Sequence, residues 1–539
     1  MRYRGVSLKF LSLTPILGVV FWVAWPLLAP GFIPTHDGEY HLMRFWQIAK
    51  MWRFGYLFPR WAPDLNSGYG VPLFNFFYPL PSYIGAFYHL LGWSLVDAFK
   101  LTLATGYLAA GLFCFWWLNK LFSRSATVFG VVMFMLTPYW FVEVYVRGTV
   151  GEVLAIAWLM LALGSIEAGA VWSLGLASAG LVLSHNILAM VFLPILIGYI
   201  FLKKLSLVKG LVLGLGLSAY FWLPAVIEKG TVVGTNFVNF RDYFPQVYQL
   251  LLPSWGTGFF GSSYAGNEMS VQIGVIPILI VISGIVAGFS ERLRRFKKLS
   301  NFFIVLGALS IFLMLPISRY LWEKIPALAY LQYSWRLLAL FLPIVAYMAS
   351  YLFQKIRQKW LWLLIILTLV FVYPYFHPVV YPIRDDRYYL SQREFTDGTS
   401  SLGDSFTTRW LPPQRERPRE RVEIISGKTR LISSEMKPLE YNLLFSSELE
   451  SKIRLHTAYY PGWTVRLDGR ITDIEFAANG LISFAVPAGE HRVWVRFEET
   501  PLRQWANIVS LISLLWLITS GILKGYANRA RHDASLHKA

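Results

Sequence analysis

Long apolar runs separated by short basic clusters fill most of this chain. Runs long enough to cross a bilayer, about 17–25 residues, fall at 10–30, 98–119, 126–146, 152–168, 208–226, 271–289, 299–317, 335–353, 359–377 and 505–524. The apolar stretch 171–203 is too long for one crossing and is broken at Ser184-His185-Asn186. It predicts two short helices with a turn at one membrane surface. These runs together predict about twelve crossings of roughly 20 residues each. One more run, 73–92, is dense in aromatics and carries Pro79 and Pro81, with Pro72 just before it. Irregular backbone at membrane depth must be buried in protein, so this run is predicted to be re-entrant or interfacial.

Basic residues set the orientation. Lys120/Arg124, Lys203/Lys204/Lys209, Arg292 to Lys298, Lys355/Arg357/Lys359 and Lys524/Arg529/Arg531 are expected on the cytoplasmic side. So is the N-terminus, with Arg2, Arg4 and Lys9. The basic start and the apolar run to Leu28 imitate a signal peptide. No small-x-small cleavage site follows, and the reading is an anchor. The external segments are then 31–97, 147–151, the turn near His185, 227–270, 318–334 and 378–504.

The last of these has a different rhythm. It alternates polar with apolar residues, as in His491-Arg492-Val493-Trp494-Val495-Arg496-Phe497, and it is rich in charge (Arg384 to Arg387, Arg415 to Arg421). Turn signals at Asp468-Gly469, Asn479-Gly480 and Pro487-Ala488-Gly489 punctuate it. Short strands spaced by such turns predict an antiparallel β-sandwich. The expected organisation is a transmembrane domain over 1–378, whose first external loop is 31–97, and a β-sandwich domain over 379–504. A last transmembrane helix with a basic cytoplasmic tail follows over 505–539.

Composition sharpens this picture. The chain is 55% hydrophobic and 15% charged, against about 25% charged in globular proteins, and its mean hydropathy is +0.48. A soluble multidomain protein is excluded. The net charge of +18 suggests nucleic acid at first sight, but the basic residues lie between apolar runs. Membrane lipids and a lipid phosphate are the expected partners, and no nucleic acid is. Cys114 is the single cysteine, so there is neither a disulfide framework nor a cysteine metal site.

The candidate chemistry gathers at the external ends of the apolar runs. The loop Pro34-Thr35-His36-Asp37-Gly38-Glu39-Tyr40-His41 packs two carboxylates and two imidazoles beside the bilayer, and ionisable groups so placed mark functional sites. Thr35 is a fitting N-cap for a helix through Arg53, on which Asp37 and His41 share a face. Trp46, Met51, Trp52 and Phe54 suit a helix in the headgroup layer. Asp37 and Glu39 also complement the helix dipole, and His36 and His41 are either hydrogen-bonded or metal ligands. Arg60 and Asp64, in Pro59 to Gly70, are explained equally by a salt bridge and by substrate contact. Arg147-Gly148-Thr149-Val150-Gly151-Glu152 adds a second carboxylate, which also suits a helix start. His185 could reach the same cavity or serve its own turn. Tyr333-Ser334-Trp335-Arg336 opens a span with an arginine that either snorkels to headgroups or grips a phosphate.

The motifs His36 to His41, Pro59 to Gly70 and Pro72 to Pro79 resemble bacterial polytopic proteins of the GT-C glycosyltransferase superfamily. The branch is the one labelled 6-pyruvoyl-tetrahydropterin synthase-related membrane protein, near the YfhO-like proteins. Further matches are Arg147 to Glu152, Ser184-His185-Asn186, Phe221 to Ala225, Ser334-Trp335-Arg336, Tyr459 to Trp463, Leu467-Asp468-Gly469 and Pro487 to His491. The resemblance implies an enzyme in the bacterial cytoplasmic membrane. It would take a sugar from a polyprenyl-phosphate donor and give it to an extracytoplasmic glycan, lipid or protein. The family's acidic residues map onto Asp37 and Glu152. No three-histidine zinc set accompanies the pterin label. Asp37 is then expected as base and Arg336, Arg147 or Arg60 as the positive charge for the leaving phosphate. His36, Glu39, His41, Asp64, His185 and Trp335 are expected around the substrate. Asp37, Glu152 and a histidine also supply ligand types for a divalent cation. Residues 227–270 (Asn236, Asn239, Arg241, Asp242) are a candidate for donor specificity. Two other classes compete: a transporter or flippase of lipid-linked sugars, and a non-catalytic membrane protein whose β domain binds envelope polymers.

Overall fold

The computed structural model describes residues 13–234, 239–261, 266–289, 294–355, 358–376, 382–391, 405–414 and 416–536. Arg2, Arg4, Lys9, Asn236, Arg292, Arg357 and Arg415 lie outside them. The chain is a polytopic α-helical membrane protein with a β domain and a further apolar helix near its C-terminus. It packs as two compact units, each assembled from three stretches: 1–38, 96–215 and 238–384 in the first, and 39–95, 216–237 and 385–539 in the second.

Twelve crossings are not found among the described residues. Six helices are long and apolar enough to span: Leu95–Leu118, Val150–Ala168, Asn186–Lys203, Lys297–Met314, Ser334–Phe353 and Pro501–Gly521. The count reaches eight if each of two broken pairs is one span. The predicted run 126–146 is broken before Pro138, whose ring cannot continue a helix, and bends by 48°. The predicted run 208–226 is broken at Ser218. Four further apolar stretches form shorter helices, Thr14–Leu28, Val171–Ser184, Val275–Ala287 and Leu363–Tyr375. At 1.5 Å per residue, a helix of 14 residues reaches only about 21 Å of a hydrocarbon core about 30 Å thick. Residues 73–92 hold two short helices, Leu73–Phe76 and Leu80–Leu90.

In the first unit the two most enclosed spans are Val150–Ala168, 83% buried, and Ser334–Phe353, 94% buried. These are also the spans that bring charge inside: Glu152 lies in the first turn of one and Arg336 in the 3₁₀ start of the other. Small residues let the neighbours approach. A Cβ on Gly130 would meet Ser350 Oγ and the Ala346 carbonyl.

In the second unit, eight strands among the described residues form two antiparallel sheets. Strands β1 (Val422–Ser426), β4 (Ser451–Ala458) and β7 (Leu481–Val486) make one, in the order β1-β4-β7. The other runs β2-β3-β8-β5-β6, from β2 (Thr429–Lys437), β3 (Glu440–Ser447), β8 (Gly489–Phe497), β5 (Trp463–Leu467) and β6 (Arg470–Thr472). Alternate residues of β3 and β4 are buried, as their period-2 pattern requires. Asp468 and Gly469 both have positive φ, 48° and 85°, the conformation of a tight hairpin turn between β5 and β6. The apolar core of these strands continues into Met51, Trp61 and Phe76.

A buried ion-pair network holds this unit together. Glu228 accepts from Arg503 Nε and Nη2 at 3.1 Å, from Asn75 Nδ2 at 2.7 Å and from the Tyr460 hydroxyl at 2.9 Å. Arg60 donates to Glu499 at 2.8 Å, to Asn75 Oδ1, to the Tyr220 carbonyl and to Asn507. Arg503 is fully buried, and a buried charge that loses its partner is strongly destabilising. Arg503→Met is therefore expected to lower stability by about 3–5 kcal/mol, read as a fall in the thermal midpoint of the solubilised protein. Lys452→Met, which removes the exposed pair with Glu475, should change it by less than about 1 kcal/mol.

Candidate functional site

The buried carboxylate of Glu152 is the centre of the first unit's polar cluster. Its Oε1 accepts from Arg147 Nη2 at 2.8 Å and from Arg336 Nε at 3.2 Å, and its Oε2 accepts from the Tyr139 hydroxyl at 3.1 Å. Arg147 also donates from Nη1 to Glu143 Oε1 at 2.6 Å, and Glu143 takes a further hydrogen bond from the Thr149 hydroxyl. Arg336 Nη1 donates to the Leu331 carbonyl at 2.8 Å and to Gln332 Oε1 at 2.7 Å. Among the described residues, Nη2 of Arg336 has no acceptor.

Local backbone explains these positions. The broken span ends in a π-helical turn, Val142–Arg147, closed by Gly148 at φ 65°. A π turn sets Glu143 and Arg147 four residues apart in contact, and such turns cluster at functional sites. Gly148 is required twice over. Its φ suits glycine, and a Cβ there would collide with Thr35 Oγ1.

The first loop docks on this turn through its backbone. The amides of His36 and Asp37 donate to the carbonyls of Val146 (3.0 Å) and Arg147 (2.9 Å). The helix therefore begins at Gly38 and runs to Arg53, so Thr35 is not its cap. Asp37 precedes the helix and shares no helical face with His41, because its amide bonds across to residue 147. The Asp37 carboxylate is half-buried and, among the described residues, makes no hydrogen bond or ion pair. His36 Nε2 donates to the Thr257 carbonyl at 2.7 Å, which leaves Nδ1 as a buried lone pair without a donor. Burial lowers the His36 pKa below the usual imidazole value, against the Thr257 carbonyl and Asp37, which raise it. Burial therefore favours the neutral form of the His36 imidazole.

Aromatic rings line the arginines. Tyr333 and Trp335 stack at 5.1 Å, with the Arg336 guanidinium over Tyr333 and that of Arg147 over Trp335, each at 4.7 Å. Tyr243 and Phe259 pack edge-on to Tyr333 at 4.7 and 5.6 Å, and His36 lies 5.1 Å from Phe259. The Nε1 of buried Trp335 and the Oγ1 of Thr35 have no partner, and unsatisfied polar atoms in one region call for an explanation.

The first unit thus gathers Asp37, His36, Glu152, Arg147, His185, Trp335 and Arg336 in one neighbourhood. His185 accepts from the Leu188 amide on Nδ1 (3.1 Å) and sits 3.7 Å from Glu152 Oε1. It both caps helix Asn186–Lys203 and faces the cluster. Glu39, His41, Arg60 and Asp64 belong to the second unit. There Asp64 is bound by Lys50 and Gln47 at 2.7 and 2.8 Å, and buried His41 lies 3.5 Å from Arg44. Arg241, in the stretch considered for donor specificity, pairs with Glu323 at 2.9 Å. Glu143, Tyr139 and Thr149 were not singled out from the sequence. An acid within an apolar run, four residues before an arginine, was the available signal. Of the residues considered for a divalent cation, Glu152 is already engaged by two guanidiniums and a phenol. No group of three His, Cys, Asp or Glu residues suited to a metal occurs among the described residues.

No family model matches the chain, and no curated protein is similar to it in sequence. Among solved structures, the arabinofuranosyltransferase AftD from Mycobacteria is similar at 13% identity and a TM-score of 0.45, over 67% of this chain and 26% of that one. The oligosaccharyltransferase of Archaeoglobus fulgidus is similar at 12% identity and a TM-score of 0.42, over 76% of this chain and 61% of that one. The chain thus spans about a quarter and about three-fifths of these two proteins. Values this low leave the site to be read from its own geometry.

Gly148→Ala tests the docking of the loop on the π turn. The added Cβ should strain the backbone and push Thr35 away, destabilising the protein by about 1–3 kcal/mol. Hydrogen exchange at the His36 and Asp37 amides should speed up.

Proposed function

We propose that this chain is a membrane glycosyltransferase of the GT-C kind. It moves a sugar from a polyprenyl-phosphate donor to a hydroxyl of an extracytoplasmic acceptor: a cell-wall polymer, a glycolipid or a protein. The observation that carries this reading is the pairing of two buried guanidiniums on one Glu152 oxygen, in the same neighbourhood as a half-buried Asp37 carboxylate that has no partner among the described residues.

In the reaction, the acceptor oxygen attacks the anomeric carbon and the bond from that carbon to the phosphate oxygen breaks. The polyprenyl phosphate leaves with the electron pair, and the hydroxyl proton passes to Asp37. Direct attack inverts the anomeric configuration. Charge grows on the departing phosphate, and the unused hydrogens on Arg336 Nη2 are the donors offered to it. Arg147 stands beside Arg336 as a second cation. Glu152 acts in this scheme by holding both guanidiniums in place, so it is a positioning residue. Tyr333 and Trp335 stiffen the arginines by stacking against them.

The proposal places this cluster and the β domain outside the cytoplasmic membrane of a bacterium, with both termini inside, following the positive-inside rule. A lipid-linked donor keeps its phosphate at the membrane surface and its tail among the helices. Arginines at the external start of spans suit that ligand.

The test uses the purified full chain in liposomes with a panel of polyprenyl-phosphate sugars, with and without chelator. Donor turnover with inverted product linkage is expected. Asp37→Asn should lower the rate by about 10²–10⁴-fold with the protein still folded and inserted; full activity in that variant would remove Asp37 from the role of base. Arg336→Lys, which keeps the charge but loses the planar fork, should cost about 10²-fold in turnover.

A further inference from the structure

Helix Val150–Ala168 carries Glu152 in its first turn and Glu167 in its last. From position 152 to position 167 it rises about 22 Å, so whatever surrounds Glu167 is at the opposite end of this helix from the arginine cluster. A cavity of about 760 Å³ opens there, lined by Glu167, Lys203, Lys204, Lys298, Leu207 and Leu299 among others. It lies where helices Val150–Ala168 and Asn186–Lys203 end and helix Arg294–Met314 passes.

The charges in this cavity do not balance. Lys203 is held by Glu167 at 2.6 Å, and the same carboxylate oxygen accepts from the buried Tyr199 hydroxyl at 2.5 Å. Lys204 and Lys298 are exposed and, among the described residues, have no carboxylate partner. Among the described lining residues, three ammonium groups stand against one carboxylate. The C-terminal helix dipole accounts for Lys203 and Lys204. It does not account for Lys298, which sits near the N-terminal end of its helix, where a cation is disfavoured. That lysine lines the same cavity as the other two, so an anion placed there would meet two ammonium groups that no carboxylate among the described residues engages.

The walls say what kind of anion. The lining includes Ile166, Leu202, Leu207 and Leu299, and outside the cavity, beside the lysines in sequence, Phe201 and Leu205 are exposed to 67% and 59%. A free phosphate has no use for such surface; a headgroup with acyl chains does. We infer that this cavity binds the phosphate of an anionic phospholipid headgroup, with Lys204 and Lys298 as its cationic contacts and Glu167 holding Lys203 in place. Basic pockets between transmembrane helices are suited to such headgroups. The inference stands apart from the proposed transfer reaction and needs no turnover to be tested.

Native mass spectrometry of the full chain in detergent, with phosphatidylglycerol or phosphatidylcholine added, reads it directly. The chain should retain phosphatidylglycerol in preference to phosphatidylcholine, and retention should fall as salt is raised. Lys204→Gln with Lys298→Gln should weaken that retention about thirtyfold, the loss expected for two lysines at an anionic surface. Lys209→Gln, outside the cavity, should leave it unchanged. Equal retention of phosphatidylcholine would overturn the inference, as would full retention of phosphatidylglycerol by the double variant. Displacement of the lipid by millimolar inorganic phosphate would mark a soluble-anion site and overturn it as well.

Discussion

The first unit depends on one buried carboxylate shared by two guanidiniums. Glu152 comes from one enclosed span and Arg336 from another, and Arg147 comes from the π turn that ends a broken third. In a low-dielectric interior each of these charges alone would be strongly unfavourable. Together they fix the relative depth of three elements. The constraint passes on through the backbone: carbonyls 146 and 147 receive the amides of His36 and Asp37, so the unpaired carboxylate is placed by the same clamp. A shift of Glu152 by one helical turn would strand both arginines and release the first loop.

The second unit uses the same physics for a different end. Glu228, Arg503, Asn75 and Tyr460 close one buried network, and Arg60 is engaged by Glu499, Asn75, Tyr220 and Asn507. Polar side chains joined in this way select one arrangement of the segments they connect, since any other leaves several of them unpaired at once. Trp61 packs within 6.2 Å of Tyr460 and 5.7 Å of Trp463 and Phe497. The Arg60-Trp61 and Tyr459 to Trp463 motifs are thus halves of one joint.

How much of this could be read from residues alone follows from which physics each feature obeys. The broken stretch at Ser184-His185-Asn186 and the strands between 422 and 497 obey local periodicity and turn chemistry, and they are found where the pattern puts them. Helix length is less local. Apolar composition marks 10–30 and 359–377 as runs, but the point at which each helix stops depends on Pro26 or on neighbours, so about twelve crossings of roughly 20 residues each became six or eight. The start at Gly38 was hidden because the amides that would have been capped by Thr35 find carbonyls more than a hundred positions away. Pairing across such distances has no local signature. For the same reason Asp37, Arg147, Glu152, His185 and Arg336 could be suspected of meeting only because each stands at an end of an apolar run that the positive-inside pattern predicts to be external. Arg60 and Asp64 shared that property and went into other ion pairs.

The balance of charge in the Glu152 cluster bears on how it could serve a phosphate. Glu143 and Glu152 lie against Arg147 and Arg336, so each buried guanidinium is met by a carboxylate within the protein. A phosphate brought there would not need to be met by new charge. It would need donors already aimed, and Arg336 Nη2 has no acceptor among the described residues while Nε and Nη1 are fixed by Glu152, Leu331 and Gln332. Donors held in place before charge develops give more stabilisation than donors that must turn to meet it. On this argument the carboxylate at the centre lowers the site's positive charge yet raises its usefulness, because it keeps the guanidinium from collapsing onto the nearest acid or swinging out to the headgroups.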